Sequence, residues 1–448
     1  MTIPGDEVVE VLQALIRNAC VNDGTEASGH EHRSVATLQE YLGERGTVIE
    51  PQPGRQSLVM RVEGRRPGAP ALALVPHLDV VPVSPERWTH PPFAAEREGG
   101  FVWGRGAVDM LNLTAAMAAV FKRYLSDELA PLEGDLVLVA TADEEAGSEL
   151  GAAHLVAEHW DLVHCDYLLT EVANPYFPTG GEPVLPVTVA EKGPAWRRLT
   201  GRGRSGHASQ PYDTANALVP IARAVADLAA AAMPVEVTAE WRQFVTGLPL
   251  DAATAEGLLA PDLVDAAIAR IAAEDSVLAR WVHACTHMTV TPTMLHAGLK
   301  ANIVPDEAVA ELDIRKLPGQ DEQTVDDHLR KVLGPDLFDD IEVEPVHPFP
   351  AGGSAAEGPL WEAIADAAEA VTGSRSLVPA ITPVATDARF FRARGVVAYG
   401  AGLFDEATGF GEFLTLFHGD DERVSEESIR LTTQLLETTV ARFGVRSR

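Results

Sequence analysis

The chain contains 448 residues, and a composition of 46% hydrophobic and 23% charged residues is typical of a globular protein. This balance excludes a disordered, collagen-like or coiled-coil chain, and the length exceeds that of one compact domain of roughly 100 to 200 residues. Asp and Glu total 66 against 35 Lys and Arg, which gives a formal charge of -31. Nucleic acids and membrane surfaces are therefore not expected as partners, because binding phosphate groups requires a basic surface.

Cysteine usage and the N-terminal segment predict a cytoplasmic protein. Cys20, Cys165 and Cys285 are far apart and odd in number, so they indicate neither a disulfide framework nor a zinc ribbon. The N-terminal segment carries acidic residues ahead of its apolar positions and lacks the basic start of a signal peptide. No stretch reaches the roughly 18 uninterrupted apolar residues of a membrane-spanning helix.

The first 190 residues alternate short apolar runs with longer amphipathic segments. Strands are predicted at residues 71–76, 135–141, 166–170 and 187–190. Helices are predicted where apolar residues recur at three- to four-residue spacing, at residues 7–19, 34–42, 111–125 and 149–159. This alternation predicts an α/β fold with a mostly parallel sheet and helices on both faces.

The character of the sequence changes after Gly193. The segments predicted next are a strand, a helix, an alanine-rich helical stretch, a strand, a helix and a strand, at residues 195–200, 214–230, 231–295, 306–314, 325–333 and 341–346. After the Gly- and Pro-rich residues 347–358, helices at 359–371 and 425–443 flank a strand at 396–399. We therefore predict one domain of residues 1–190 and 351–448, interrupted by a smaller α+β domain of residues 191–350.

His77 and Asp79 follow the predicted strand 71–76, so an imidazole and a carboxylate lie at its carboxyl end. Open α/β sheets bind ligands at this edge. If His77 binds a metal through one ring nitrogen, Asp79 can accept a hydrogen bond from the other. The alternative interpretation of the pair is an ordinary turn.

Two further acidic segments lie directly next to a predicted helix or strand, where a cation can bind. Asp109 comes after the glycines of WGRGAVDM and directly before the predicted helix 111–125, where an N-cap aspartate is the alternative. Residues 143–145 are three consecutive carboxylates after the predicted strand 135–141. Such carboxylates repel one another and lose hydration together unless a cation or a proton neutralises them. The alternative is a solvated acidic turn.

Glu171 closes the apolar run 166–170, and His418 lies in FHGDDE before the last predicted helix. Together with His77, Asp109 and Glu145 they make two imidazoles and three carboxylates at strand ends or strand-to-helix junctions. Two zinc-like ions that share one bridging carboxylate, each with a histidine and another carboxylate, require this inventory. The joint pattern is much more specific than any of its members.

At this point the chain resembles the M20 family of co-catalytic zinc metallopeptidases and aminoacylases, most closely its carboxypeptidase S and N-acyl amino acid hydrolase branch. The motifs that carry the resemblance occur in the family's order over nearly the whole chain: PHLDVVPV, WGRGAVDM, TADEEAGS, LLTEVANP, GRSGHASQP, KANIVPDEAVAELDIRKLPG, TDARFF and HGDDE. The resemblance implies a co-catalytic zinc exopeptidase fold. In that fold the outer segments form the catalytic metal-binding domain and the insertion forms a lid or dimerisation domain.

The resemblance also implies roles for the residues at the predicted strand ends. Asp109 would bridge two metal ions, with His77 and Glu171 completing one set of ligands. Glu145 and His418 would complete the other set. In addition, Glu144 would be the general base and Asp79 would orient His77.

The resemblance further implies which residues hold the substrate. His207 in SGHAS matches the family histidine that stabilises the oxyanion, often from the partner subunit of a dimer. Asn216, Asn302 and Arg315 match residues that help to hold the substrate, and Arg389 in TDARFF is a further candidate for binding a carboxylate. The alternative for either arginine is a surface ion pair.

The expected function is hydrolysis of the amide bond of a dipeptide or an N-acyl amino acid, by a metal-activated water and Glu144 as base. Zinc is the expected metal, and cobalt and manganese are alternatives because histidine and carboxylate ligands accept all three. Alternative reactions are hydrolysis of N-carbamoyl or N-succinyl amino acids and the reverse condensation to N-acyl amino acids. A non-catalytic metal-dependent binding protein is the alternative outside enzymes. The expected partner is a small amide with a free carboxylate, and the resemblance implies a homodimer through the inserted domain.

The chain departs from the family pattern at Leu111-Asn112, where the family usually has Lys-Gly or Lys-Asn. The change removes a positive charge beside the predicted metal carboxylates, so we expect an altered metal affinity or a more open site. Preference for the acyl group is expected to depend on residues 231–295 and 405–416, where the sequence shows composition but no site chemistry.

Overall fold

A computed structural model describes residues 3, 5–177, 184–346, 348–406 and 408–446. Its helices are α1 Gly5–Arg17, α2 His32–Leu42, α3 Leu111–Leu125, α4 Ala152–Glu158, α5 Trp160–Val163, α6 Leu218–Ala230, α7 Ala239–Gly247, α8 Ala252–Leu259, α9 Val264–Ala272, α10 Ser276–Thr286, α11 Glu322–Asp339, α12 Pro359–Thr372, α13 Ala388–Arg392, α14 Phe410–Leu416 and α15 Glu426–Arg446. The strands are β1 Thr47–Gln52, β2 Arg55–Val62, β3 Leu72–Leu74, β4 Glu96–Glu98, β5 Phe101–Trp103, β6 Leu136–Ala140, β7 Tyr167–Thr170, β8 Leu185–Glu191, β9 Gly193–Pro194, β10 Trp196–Arg202, β11 Gly206–His207, β12 Thr289–Ala297, β13 Ile303–Val304, β14 Glu307–Lys316, β15 Ile341–Val346, β16 Gly352–Gly353, β17 Leu377–Thr382, β18 Val397–Gly400 and β19 Arg423–Ser425.

The large sheet has the strand order β1-β2-β6-β3-β7-β18-β8-β16, with β17 paired to β8. The central strands β6, β3, β7 and β18 are parallel to one another, and β17 is parallel to β8. Antiparallel pairs occur toward the edges, as in β1 with β2 and β16 with β8. The predicted α/β fold with a mostly parallel central sheet is therefore confirmed.

Burial on both faces explains why the central strands are apolar almost without interruption. In β6 every residue is buried. Leu136 and Leu138 belong to the larger apolar core, which also contains residues of α1, α3, α12 and α15. Val137 and Val139 point to the other face, where they join a second core with Leu155 of α4 and residues of α13. Helices thus cover the two faces, as the sequence pattern predicts.

The parallel strands deliver polar residues to one edge of the sheet. His77 follows β3 and makes an isolated parallel bridge with Thr141, which follows β6. Glu144 begins a short 3-10 turn after β6, and Glu171 directly follows β7. Because the carboxyl ends of parallel strands lie at the same edge, residues far apart in sequence become neighbours.

A second sheet has the order β12-β14-β10-β15, with β9 paired to β14. Along β14 the buried residues alternate, and Ala308, Ala310, Leu312 and Ile314 enter an apolar cluster shared with α6 and α11. This alternation is typical of an antiparallel sheet with one covered face. The sheet has its own core, and the division of the chain at residues 190 and 350 stays a prediction.

Residues 231–295 are only partly helical. Helices α7 to α10 end at Thr286, and residues 289–297 form the edge strand β12 instead of continuing the predicted helical stretch. The β-branched residues Thr289, Val290 and Thr291 favour a strand, and the hydrogen bonds with β14 stabilise it. Trp241, Phe244 and Trp281 of these helices pack in the core of the large sheet.

The sequence pattern does not predict some strands of the large sheet. Pro51 lies in β1 and Pro379 lies in β17, and proline disfavours a strand prediction because it donates no ladder hydrogen bond. Both strands form because tertiary pairing with β2 and β8 compensates for that local preference. Within the described residues, no helix combines the length and apolar character that crossing a bilayer requires.

Lys192 lies where the chain passes from the large sheet to the second sheet, and its side chain is buried. Its ammonium group donates to the carbonyl oxygen of Ala284 at 3.0 Å, that of His287 at 2.7 Å and the hydroxyl of Thr289 at 3.2 Å. All three acceptors are neutral. Burial therefore lowers the pKa of Lys192 to about 7, while Cys285 and Asp313 raise it slightly and Arg315 lowers it.

This burial predicts a pH dependence of stability that Lys192→Met should remove. The folded-state pKa of Lys192 is depressed to about 7 from the ordinary 10.5, so between these values the unfolded chain binds more protons. The free energy of unfolding attributable to Lys192 then rises with pH through this window and is lowest below it. Urea unfolding of both proteins from pH 6.5 to 10 measures the difference. Parallel curves for the two proteins would contradict the prediction.

Candidate metal centre and substrate pocket

Asp109 lies between two imidazoles. One carboxylate oxygen, Oδ1, is 3.3 Å from Nε2 of His77, and the other, Oδ2, is 3.3 Å from Nε2 of His418. The residue directly precedes the turn that leads into α3, so a buried helix start fixes its position. Its two oxygens therefore face two separate ligand sets, which is the geometry of a bridging carboxylate.

Each imidazole has a second carboxylate next to it. Oε2 of Glu145 is 3.3 Å from Nε2 of His418, and Oε2 of Glu171 is 3.8 Å from Nε2 of His77. The remaining oxygens of Glu145 and Glu171 are buried and have no hydrogen-bond partner among the described residues. A buried carboxylate oxygen without a donor is costly, so a cation between these groups fits the observed atoms.

The donor atoms also satisfy the spacing that a metal ion needs. Ligand atoms of His77, Asp109 and Glu145 lie within 4.8 Å of one another, as do those of His77, Glu144 and Glu171. Histidine and carboxylate donors suit zinc and related divalent ions. The predicted residues thus converge on one centre, and the residues present fit a divalent metal.

Burial and mutual contact set the protonation of the cluster. Burial raises the pKa of Glu145 to about 7 and raises that of Glu171 well above its usual range, where nearby carboxylates add to the effect. The pKa of Asp109 is lowered, because hydrogen bonds with His418 and His77 outweigh its burial. The same contacts with Asp109 and Glu145 raise the pKa of His418 to about 10. The cluster therefore carries proton-dependent charge that a divalent cation can replace.

Asp79 contacts both His77 and the turn that carries Glu144 and Glu145. The Nδ1 atom of His77 is 3.0 Å from the backbone oxygen of Asp79 and 3.6 Å from its carboxylate, so the carbonyl makes the shorter contact. The carboxylate instead accepts hydrogen bonds from the backbone amides of Glu144 and Glu145, each at 3.1 Å. The side chain of Asn22 donates to it at 2.8 Å. Asp79 thus connects the histidine to the turn that carries both glutamates.

Glu422 was not predicted as a site residue; it lies in the HGDDE motif and is fully buried. Its carboxylate accepts hydrogen bonds from the backbone amides of Val108 at 2.7 Å and Asp109 at 3.1 Å. The guanidinium of Arg105 pairs with it at 2.7 Å and also donates to the backbone oxygen of His418 at 3.2 Å. Glu422 therefore holds the Asp109 segment against the His418 segment. The sequence signal was an acidic residue four positions after a candidate ligand.

A cavity of about 410 Å³ opens beside Asp109, Glu144, Glu145, Glu171 and His418. Its walls are mostly apolar, and two arginines from different segments also line it. The wall residues include Pro194, Trp196, Arg315, Phe349, Val384, Arg389 and Phe417. The cavity is of a size that suits a small ligand. Both sheets contribute to it, since Trp196 and Arg315 belong to β10 and β14.

The two pocket arginines are both engaged with the protein. Arg315 pairs with Asp313 through Nε at 2.7 Å and Nη2 at 2.9 Å, and its Nη1 makes no hydrogen bond to a described residue. The face of Trp196 lies 5.7 Å from the Arg315 guanidinium. Arg389 is buried and donates to neighbouring protein oxygens. Arg315 is therefore the more accessible of the two cations.

Three predicted substrate residues lie outside this cavity. His207 is exposed on β11, where its Nδ1 contacts the hydroxyl of Ser209 at 2.8 Å. Asn302 is exposed, and its carbonyl accepts a hydrogen bond from the amide of Ala208. Asn216 accepts one from the amide of Leu218. The structure groups His207 with Asn302 but does not place either residue, or Asn216, among the residues that line the cavity.

The segments expected to decide acyl preference also lie outside the cavity lining. None of the described residues in 231–295 or 405–416 lines it, although Phe417 does. Instead, the aromatic side chains of α7 and α10 pack together, and Trp281 of α10 contacts Phe410 of α14. Leu111 is buried against Gly106 and Val80, so an apolar side chain occupies the position where the family usually has lysine.

The carboxyl edge of the α/β sheet thus gathers imidazoles and carboxylates around a cavity, an arrangement that suits a metal-dependent hydrolase. Residues 73–442 match the family described as Peptidase family M20/M25/M40, and the chain belongs to this family. The resemblance found in the sequence is thereby confirmed.

Relatives from several branches are similar to this chain. Aminoacylase-1 of Pongo abelii is 25% identical over 404 residues, covering 88% of this chain and 85% of the relative. The N-fatty-acyl-amino acid synthase/hydrolase of Xenopus tropicalis is 25% identical over 452 residues, covering 96% and 84%. The M20 family metallo-carboxypeptidase of Sulfolobus solfataricus has a similar fold, with a TM-score of 0.75, 18% identity and coverage of 98% and 100%.

The contacts of Glu422 predict a loss of metal affinity in Glu422→Gln. The substitution leaves the buried Arg105 without a counter-charge and weakens the hold on the amide of Asp109. Divalent metal affinity should fall about 10- to 100-fold, and the protein should lose on the order of 3 kcal/mol of stability. Zinc titration against a chelating dye and thermal unfolding measure the two effects.

Glu427→Gln is the matched control. Glu427 pairs with Arg430 on the surface, where the two side chains are 50% and 43% exposed, so its removal should change neither quantity appreciably. Equal behaviour of the two variants would contradict a special role for Glu422.

Proposed function

We propose that this M20 hydrolase uses two divalent metal ions to cleave an amide bond next to an amino acid with a free carboxylate. The observation that carries the proposal is the placement of Asp109, whose two oxygens face His77 and His418 at 3.3 Å each. Each histidine has its own second carboxylate, Glu171 or Glu145. This symmetry about one carboxylate supports two ions rather than one.

In the proposed centre, His77 and Glu171 hold one ion, and Glu145 and His418 hold the other, with Asp109 shared. Zinc is the proposed metal, since the donors are imidazole nitrogens and carboxylate oxygens, and cobalt or manganese fit the same set. When bound, two such ions polarise an amide carbonyl and lower the pKa of water.

Glu144 is the proposed general base. Its carboxylate lies at the cavity, 10% exposed, beside His77 and Glu171. Burial raises its pKa well above the usual range, although His77 and Arg389 counteract this. A carboxylate with such a pKa can accept a proton from the attacking water and then donate it to the leaving nitrogen.

The cavity supports an N-acyl amino acid as the preferred substrate. Nη1 of Arg315, which makes no hydrogen bond to a described residue, suits one carboxylate, and an apolar wall formed by Trp196, Phe349 and Val384 suits an uncharged acyl group. An N-succinyl substrate would need a second accessible cation, whereas Arg389 is buried and already bonded. The names of the aminoacylase and N-fatty-acyl-amino acid relatives agree with this preference.

His207 is proposed to stabilise the oxyanion from a partner subunit or after closure of the second sheet over the cavity. It lies outside the cavity lining of its own chain, so one of these two events must bring it there. The edge strand β12 exposes Met294 and Leu295, each 47% exposed, which supports a homodimer through this sheet. Asn216 and Asn302 are proposed to approach the substrate with His207.

We also propose a cytoplasmic location. The three cysteines are buried and unpaired, which agrees with a reducing compartment.

Glu144→Gln should abolish most turnover while preserving the metals. The amide cannot accept the proton, so kcat should fall about 100- to 10,000-fold with little change in metal content. Release of free amino acid from a panel of N-acyl, N-carbamoyl and N-succinyl amino acids and dipeptides gives both the rate and the substrate class. Wild-type protein stripped of metal should be inactive and regain activity with zinc. Activity that persists without metal would refute the proposal.

His207→Ala tests the partner-subunit contribution. The variant should lose about 100- to 1,000-fold in kcat, because the oxyanion loses a donor. When His207→Ala and Glu144→Gln subunits are mixed under exchanging conditions, heterodimers contain one site with both residues intact, so part of the activity should return. If the mixture stays inactive although heterodimers form, His207 acts within its own chain.

A further inference from the structure

The segment of residues 386–389 lies directly against the turn that carries Glu144 and Glu145. Asp387 accepts a hydrogen bond from the hydroxyl of Thr141 at 2.7 Å and another from that of Ser148 at 2.5 Å. These two hydroxyls lie on either side of the glutamates, so one buried carboxylate connects the start of the turn to its end.

Arg389 binds the same turn from the same side. Its Nη2 donates to the backbone oxygen of Gly147 and to the hydroxyl of Ser148, each at 3.1 Å. Its Nη1 donates to the backbone oxygen of Thr386 at 2.6 Å and lies 3.8 Å from Oε1 of Glu144. Both terminal nitrogens are thus used within the protein.

The surroundings of Arg389 leave little room for a ligand. The rings of Phe349 and Phe390 have centroids 4.9 and 4.5 Å from the guanidinium carbon. The Arg389 side chain is only 4% exposed. Only Nε of Arg389 has no hydrogen-bond partner among the described residues, and that atom is buried, so Arg389 offers a ligand no accessible N–H group comparable to Nη1 of Arg315.

The turn itself needs external support. Asp143 and Ser148 have φ values of 69° and 68°, a left-handed conformation that residues with a side chain adopt at a cost. Asp79 holds the turn at the amides of Glu144 and Glu145, and the 386–389 segment holds its far end. The segment is fixed in turn by Glu191, which accepts a hydrogen bond from the amide of Thr386.

We propose that Asp387 and Arg389 are positioning residues that clamp the Glu144–Ser148 turn, and that Arg389 does not bind the substrate carboxylate. The clamp sets where Glu144 meets the attacking water and where Glu145 meets its metal ion. The inference rests on the proposed function for the role of these two glutamates. It assigns recognition of the carboxylate to Arg315 alone among the cavity arginines.

The kinetic test compares Asp387→Asn, Arg389→Met and Arg315→Met on two substrates. One is an N-acyl amino acid, and the other is its carboxamide, which lacks the negative charge. The clamp variants should lose about 100-fold in kcat on both substrates with KM changed less than about threefold, since misplacement acts on the reacting groups. Arg315→Met should raise KM for the acid only. If Arg389→Met raises KM for the acid but not for the carboxamide, the proposal is overturned.

A second readout needs no turnover and separates the clamp from the proposed reaction. Zinc titration should show one of two ions bound about 10- to 100-fold more weakly in Asp387→Asn, because Glu145 moves with the turn. The absorption spectrum of cobalt-loaded protein should change in the same variant. Unchanged affinity and spectrum would overturn the clamp even if the enzyme is active. If the wild type cleaves no amide but these shifts occur, the proposed reaction fails and the clamp stands.

Two further variants guard against a folding artefact. Ser148→Ala removes the hydroxyl that both Asp387 and Arg389 contact, and should reproduce the loss of kcat without deleting a buried charge. Arg394→Met removes an exposed arginine five positions after Arg389 and should leave rates and metal affinity as in the wild type. If Ser148→Ala matches the wild type in both rate and metal affinity, the contacts do not position the turn.

Discussion

The structure depends on a concentration of buried negative charge at one edge of the large sheet. Glu145 and Glu171 follow strands β6 and β7, Asp109 precedes α3, and burial raises the pKa of the two glutamates. Carboxylates in such surroundings repel one another, and two of their oxygens have no donor among the described residues. Only a cation or bound protons reconcile this arrangement with a stable fold. Binding of a divalent cation by these residues would therefore be linked to the folding of the sheet.

Arg55 and Arg105 are buried but do not neutralise this charge. Arg55 pairs with Glu31 and Asp143, each at 2.8 Å, and Arg105 pairs with Glu422. Both arginines are thus paired with carboxylates other than Asp109, Glu145 and Glu171. Leu111 is buried at the start of α3, where the family usually has lysine, so this position adds no cation. The ion pair of Arg105 with Glu422 supports the Asp109 segment through its backbone amide, as second contacts do in metal sites.

The sequence predicted the site residues that directly follow apolar strands. A strand followed by His77, Glu144 or Glu171 is visible in a few residues, and parallel strands guarantee that such ends meet. Glu422 was not predictable in this way, since its contact with Asp109 joins residues 313 positions apart. Strand β12 was missed for a related reason, because its pairing with β14 decides its structure more than its own composition. Long-range hydrogen bonding, rather than weak local preference, accounts for both omissions.

The metal side and the substrate side of the cavity differ in how completely one chain builds them. On the metal side, several polar groups are held by buried neighbours, as Asp79 shows with its three hydrogen bonds to Asn22, Glu144 and Glu145. On the substrate side, Trp196 and Val384 are 37% and 44% exposed, and His207 lies away from the cavity. In such an arrangement, the free energy of substrate binding can bring the substrate side into place while the metal side keeps its position. The proposed selectivity for an acyl group would then be decided as that side assembles, since a ligand that covers the exposed apolar wall removes further apolar surface from water.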